Sequence, residues 1–561
     1  MEASFLLQCP SLSNYRRRAE ILHMVFDHFQ KGKTCYPICI RKQKHNIKFY
    51  MIPITDVAHH RVLRPASVGS SQVGQTLRED YVSATQSFHS MNDFERELQE
   101  LFDEVKNLIR MGNKNDAVDL LRANYEAVKE QMNAGAKGIE EAAILDIIAL
   151  GYMAIGDFKS VGFILDMMNE VVDSLKDDEL HLDSILMHMG SMYSTLDKFE
   201  KSLHAYQRAA GIMENTCGKD STFLVTPFLG MAKVLGAVGR ATKAVEMYQR
   251  AITILESSRG AEGEDLVVPL FGLGNLLLKQ GRAMDAETHF IRVLNIYTKL
   301  YGKSDGRVGI AMSSLAHVKC AKGNVDEAIY LYQNSLQLIK DSNYMALDDS
   351  IMEKMRIDLA ELLHVVGRGN EGRVLLEECL LINEKNKGKD HPSLVTHMMN
   401  LATSYSRSNN YVESERLLRR SLEIMTKKMG TDDQSITFPM LQLAVTLYHL
   451  KQDEEAEQLA LEVLRIRETA FGRDSLPVGE ALDCLVSIQT RLGKDDSELL
   501  KLLKRILSIQ EKEFGYESEE VVETLKKIVH YLDKSGRRNE KIPLQKRLSV
   551  LRKKNKQRIH Y

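Results

Sequence analysis

The chain has 561 residues, 75 Lys and Arg against 77 Asp and Glu, 10 Pro and no Trp. That length excludes one compact core unless the chain is a quasi-linear array, and the Leu-, Ala-, Glu- and Lys-rich composition favours an all-helical protein. The seven Cys are odd in number and irregularly spaced, which argues against a disulfide framework, and no run of about 18 apolar residues is present to span a membrane.

The formal charge of −2 is unevenly spread. Residues 1–78 hold twelve Lys and Arg against four acids, a net of +8, and residues 534–561 hold eleven against Glu540 alone, a net of +10. The stretch between them therefore carries −20.

Residues 1–90 are acid-poor and rich in Arg, Lys, His and Ser. They predict an organelle transit peptide followed by a linker around Ser67, Gly69, Ser70, Ser71 and Gly74. The alternative is a leader with no targeting role. The expected location is the chloroplast, with the mitochondrion or the cytoplasm and cytoskeleton as alternatives. Cys35, Cys39 and His45 have loosely metal-like spacing, but an unligated set is the expected state.

Residues 91–533 read as a helical repeat array. Phe94, Leu98, Leu101, Phe102, Val105 and Ile109 recur at helical spacing, and Gly112 then breaks the helix. The same turn recurs at Gly156, Asp197, Gly239, Gly281, Gly323, Gly367, Asn409, Lys451, Gly493 and Gly536, at intervals of 41 to 44 residues. The pair 225–260 and 267–302 repeats at 42 residues without a gap: Pro227 meets Pro269, Gly239 meets Gly281, Arg250 meets Arg292 and Gly260 meets Gly302. A left-handed turn suits Gly, tolerates Asp and Asn, and suits Lys least, so a different turn is expected at Lys451. Five residues past the turn stands a small residue (Ala117, Ser202, Ala244, Ala286, Ala328, Gly372, Ser414 or Ala456). Twelve before that stands another (Ala149, Gly190, Ala232, Gly274, Ala316, Ala360, Ala402 or Ala444). Large residues such as Tyr206, Tyr248, Phe290, Tyr332 and Leu376 follow, as close helix packing requires. The predicted fold is all-α, a right-handed superhelical solenoid of about eleven antiparallel helix pairs.

Leu273-Gly274, Leu277, Gly281, Ala286 and Phe290 resemble the tetratricopeptide repeat, lengthened from 34 to 42 residues by about one turn in each helix. The link Gly388-Lys-Asp-His-Pro392, followed by Leu401-Ala402, Tyr405 and Asn409-Asn410-Tyr411, resembles the kinesin light chain and nephrocystin-3 type of repeat. The basic, Ser-containing leader resembles plant relatives of the light chain. Weaker links of the same type begin at Gly302, Gly430, Gly472 and Gly515.

No phosphate loop and no His-Glu-x-x-His helix occurs. Gly272-Leu-Gly274 reads as a close-packing device, and His391 as a residue that caps or packs in its link. No catalytic residue, cofactor or metal is expected, and the protein is expected not to be an enzyme.

The resemblance implies that the inner wall of the superhelix is lined by the first helix of each pair. Its fifth positions are Met187, Leu229, Phe271, Ser313, Ile357, Met399 and Leu441. Its ninth positions are Ser191, Lys233, Asn275, His317, Glu361, Thr403 and Val445. The fifth set reads first as packing between repeats and second as a stripe for the apolar side chains of a partner peptide or helix. Residues 534–561 read first as a basic capping helix and second as an anionic contact, including a peripheral membrane contact. The expected function is a non-catalytic scaffold binding protein segments in this groove. A cytosolic kinesin light chain-related adaptor and an RNA-associated repeat factor are the alternatives. Nucleic acid is not the expected partner, since aromatic stacking residues are nearly absent from the tail.

Overall fold

The structure is a computed structural model that describes Phe94 and residues 96–558. The leader reading and the Cys35, Cys39 and His45 set lie outside the described residues. The chain divides into two units, one ending at Met345 and the other starting at Ala346.

The described part of the first unit holds six helix pairs. They are α1 (96–111) with α2 (Lys114–Asn133), α3 (Ile139–Ile155) with α4 (Phe158–Val172), α5 (Leu182–Thr195) with α6 (Phe199–Cys217), α7 (Val225–Ala237) with α8 (Ala241–Arg259), α9 (Val267–Lys279) with α10 (Ala283–Tyr301), and α11 (Gly306–Ala321) with α12 (Val325–Asp341). The second unit holds five. They are α13 (Ser350–Val365) with α14 (Gly369–Lys387), α15 (Leu394–Arg407) with α16 (Tyr411–Met429), α17 (Thr437–His449) with α18 (Asp453–Phe471), α19 (Leu476–Arg491) with α20 (Asp496–Phe514), and α21 (Glu519–Lys534) with α22 (Arg538–Arg558). The fold is thus all-α among the described residues, a repeat array of helical hairpins. α22 closes the eleventh hairpin, with Leu548 and Leu551 buried against Val521, Val522 and Leu525.

All eleven hairpin turns place their marker residue at positive φ, from 57° at Asp197 to 91° at Gly156. Lys451 does not form the different turn expected of it. It has φ 62°, and its amide donates to the Tyr448 carbonyl while that of Gln452 reaches Leu447, the same pattern as at Asn409 and Asn410. The neighbouring helices fix the connection, and Lys takes up the left-handed strain.

The links between hairpins use glycine differently. Gly218, Gly260, Gly302, Gly388, Gly430, Gly472 and Gly515 have φ of 81–90° and ψ of 156–173°. That region is open essentially to Gly alone, whereas the hairpin turn admits Asp, Asn and Lys. The next helix is then capped from the link. Asp305 accepts from the Arg307 amide at 2.9 Å and Asp433 from Ser435 at 2.8 Å. His391 does the same work, its Nδ1 accepting from the Ser393 amide at 3.2 Å.

Small residues let the paired helices approach. Ala117, Ser202, Ala244, Ala286, Ala328, Ser414 and Ala456 are all fully buried. A Cβ on Gly190 would lie 2.8 Å from the Tyr206 ring, and one on Gly274 would lie 2.7 Å from Phe290. Gly272 receives the Tyr248 ring of the preceding hairpin in the same way, at 2.4 Å, so Gly272-Leu-Gly274 seats two rings from successive hairpins.

The added repeat length is not shared equally. First helices such as α7, α9 and α17 run 13 residues, while second helices such as α6, α8, α10, α16 and α18 run 19. The longer second helices carry a recurrent clamp. Arg250 pairs with Glu214 at 2.8 Å, Arg420 with Glu384 at 2.7 Å, Arg505 with Glu468 at 2.6 Å and Arg547 with Glu511 at 2.5 Å, each reaching back one hairpin. Guanidinium groups of these rungs also donate to a link carbonyl: Arg292, paired with Glu256 at 2.5 Å, to Ala261 at 2.7 Å, Arg420 to Lys389 at 2.6 Å and Arg505 to Arg473 at 2.6 Å. Each such rung ties two second helices and satisfies a link that Gly has turned away from helical bonding.

Candidate partner-binding wall

The first helices present their fifth and ninth positions in repeating order, but the two sets differ in burial. At the fifth positions Met187, Ser313 and Met399 are buried, while Leu229, Phe271, Ile357 and Leu441 are half-buried. Phe271 leans on Phe290 with ring centroids 5.8 Å apart, and the Ser313 hydroxyl donates to the Ile310 carbonyl at 2.8 Å. Three of the seven fifth positions are thus covered, while the four half-buried ones pack on neighbouring helices and still present apolar surface.

The ninth positions stay open. Ser191, Lys233, Glu361 and Val445 are exposed, and Asn275, His317 and Thr403 are half-buried. Glu361 pairs with Arg407 of the next first helix at 2.7 Å. Thr403 accepts a 3.3 Å bond from the Gln442 amide, and His317 meets the edge of Tyr332 at 5.5 Å between centroids. Within each unit the ninth positions are thus mainly polar, Val445 excepted, and the apolar fifth positions beside them are partly covered.

Two features of the wall escaped the sequence reading. Asp146, at the fifth position of α3, lies 2.6 Å from Nδ1 of His188 in α5, and its other oxygen is buried without a hydrogen-bond partner. Burial opposes protonation of this imidazole, but the Asp146 carboxylate overrides it and raises the His188 pKa. Asp483 and Lys527 occupy the equivalent places one hairpin apart in the second unit, at 2.6 Å. A single Asp inside the apolar run Ala143-Ile144-Leu145-Asp146-Ile147-Ile148, with a His 42 residues on, was the signal available in the sequence.

A second buried polar group lies between α13, α14 and α15. Arg356 donates to the Leu347 carbonyl at 2.9 Å, and Asn383 donates to Cys379 at 3.0 Å and to Glu353 at 3.4 Å. His397 faces Glu353 at 3.5 Å, and burial lowers its pKa. Burial pushes the Cys379 thiol up to about 12, which suits a packed thiol and not a nucleophilic thiolate. A shallow depression lined by Ala261, Glu262, Arg292 and Lys299 has its charges engaged, Lys299 with Glu262 and Arg292 with Glu256. Among the described residues no cluster of three or more His, Cys, Asp or Glu is placed to hold a metal ion, and no helix is long and apolar enough to cross a membrane.

Three bases of α22 are engaged with its own array. Lys541 pairs with Asp533 at 2.5 Å, Lys554 with Glu517 at 2.5 Å, and Arg547 with Glu511.

Comparison with known families finds that the model of the MalT-like TPR region matches residues 160–469. No curated protein matches the chain. Solved structures with a similar fold include BtubC from P. vanneervenii, at 18% identity and TM-score 0.35, over 42% of this chain and 91% of that one. The TPR-like repeats of a predicted kinesin light chain from Podosopora anserina match at 21% identity and TM-score 0.33, over 36% of this chain and 95% of that one. The apo quorum sensor NprR from B. thuringiensis matches at 14% identity and TM-score 0.42, over 66% and 99%.

Proposed function

Since the chain belongs to the family of MalT-like TPR regions, we propose that it is a non-catalytic scaffold that holds segments of partner proteins along the wall of first helices. The observation that carries this reading is the row of ninth positions. Ser191 and Lys233 in the first unit, and Glu361 in the second, are exposed at places set by the repeat, beside partly covered apolar fifth positions. Such a row offers hydrogen bonds and charge to an extended or helical segment, so orientation and selection come from polar contacts. The 42-residue hairpin and the Gly388-Lys-Asp-His-Pro392 link support placing the chain near the kinesin light chain type of repeat. The basic leader supports a role in assembling or maintaining a plastid complex.

The test is affinity capture with the full chain, comparing wild type with Lys233→Glu and Glu361→Lys. Partner recovery is expected to fall while the helical circular dichroism signal stays near wild type. Unchanged recovery with both variants would remove the wall as the binding surface. For location, a fluorescent fusion carrying residues 1–90 is expected to enter plastids, and a purely cytosolic signal would reject that assignment.

A further inference from the structure

Inside each unit a second helix is covered on one side by the next hairpin, at distances counted from the turn residue. Six residues past the turn, Leu203 is 4% exposed, but Ile542 of α22 is 53% exposed. The residue just before the next turn faces this place, as Lys322 does in donating to Glu287 at 2.7 Å. In the first hairpin that residue is Met111, 76% exposed.

A second place is charged. Ten residues past one turn meets four past the next, as in Asp166 with Lys201 at 3.1 Å and Arg419 with Glu455 at 2.8 Å. In α20, which begins one residue later after its turn, Lys504 meets Glu540 at 2.7 Å. In the last and the first of the described hairpins the same places hold Lys546 and Asp116, both exposed and of opposite charge. A third place is neutral. Lys553 stands where the rungs carry an accepting Glu, and Ala123 stands where they carry Arg, so no like charges meet there.

We infer that α22 of one copy receives the first hairpin of a second copy, head to tail, in the arrangement that stacks hairpins within the chain. Met111 covers Ile542, and Asp116 pairs with Lys546. A contact of this kind joins two different surfaces, so it propagates from copy to copy unless the rotation closes a ring. One place opposes it: Arg110 and Arg538 fall where Arg491 and Asp453 pair within the chain.

Sedimentation velocity of the full chain over a range of concentrations tests the proposal. Association is expected to rise with concentration and weaken as salt is added. Lys546→Glu and Asp116→Lys should each weaken it roughly three- to tenfold, and the double variant should restore it. Arg538→Asp should strengthen it by a similar factor, and Ile542→Ser should weaken it without altering charge. Circular dichroism checks that each variant is folded. A chain that stays monomeric throughout, or an association indifferent to these changes, or a double variant that does not recover, would overturn the inference.

Discussion

At the residue scale, two glycine positions with similar φ carry different constraints. The hairpin turn is left-handed helical, and Lys451 occupies it at φ 62°. Left-handed φ costs a non-Gly residue about 1–2 kcal/mol, offset in part by the greater entropy that Gly loses on folding. Lys451→Gly is therefore expected to stabilise its region by about 0.5–1 kcal/mol, read as a higher urea midpoint. Gly430, at φ 90° and ψ 173°, has no such latitude. Gly430→Ala should cost about 1–3 kcal/mol, whereas Gly239→Asn should cost less than that. If both glycines prove equally replaceable, the distinction between turn and link is wrong.

Histidines give the second residue-scale expectation. The raised pKa of His188 means the folded state holds its proton more tightly than the unfolded chain does. Its stabilising contribution is complete below about pH 6.5 and is lost as pH rises through the folded value. The lowered pKa of His397 acts oppositely: its contribution is present above about pH 6.5 and is lost as pH falls toward the folded value. Urea midpoints of Asp146→Asn across this range should lose the decline on the alkaline side. Persistence of that decline would show that another group causes it.

At the element scale, the second helix does more than complete a hairpin. Its last turns carry the Glu that accepts the next Arg, which is why the added repeat length accumulates there. Arg420 is partly buried and bonds both Glu384 and the Lys389 carbonyl. Arg420→Ala should cost about 1.5–3 kcal/mol and raise hydrogen exchange in the 388–393 link. Arg465, paired with Glu462 at 2.6 Å, has a side chain 55% exposed, so Arg465→Ala should change stability by less than about 0.5 kcal/mol. Equal effects of the two substitutions would mean that the rungs are surface ornament. Phe271→Asp belongs to this scale as well. The ring packs on Phe290, so the substitution should unfold its hairpin rather than report on partner binding.

At the scale of the whole molecule, charge is distributed so that most of it is internal to the array. Three bases of α22 answer acids of the last hairpins, while Lys546 stays exposed, so the helix caps the array and keeps a cationic surface. The candidate wall was legible only in part. The repeat located both the fifth and ninth positions, since hairpin spacing is a property of chain order. Which of them remained open was not legible, because burial depends on how far each neighbouring hairpin reaches across. The same limit hid Asp146 and His188, whose meeting needs two first helices side by side.

The sequence by itself determined the helical class, the eleven hairpins and the turn at each, because these rest on local rules: apolar periodicity, small residues at close approaches, and glycine where the backbone turns left-handed. The tertiary structure decided the rest. It set Lys451 into an ordinary turn, gave the links a conformation that only Gly adopts, drew Arg and Glu of successive second helices into rungs, and left the ninth positions more exposed than the fifth. The rungs and the burial depend on neighbours some 36 residues away or more, as Arg420 on Glu384, and the strength of such a contact is set by distance and burial, which no local pattern encodes.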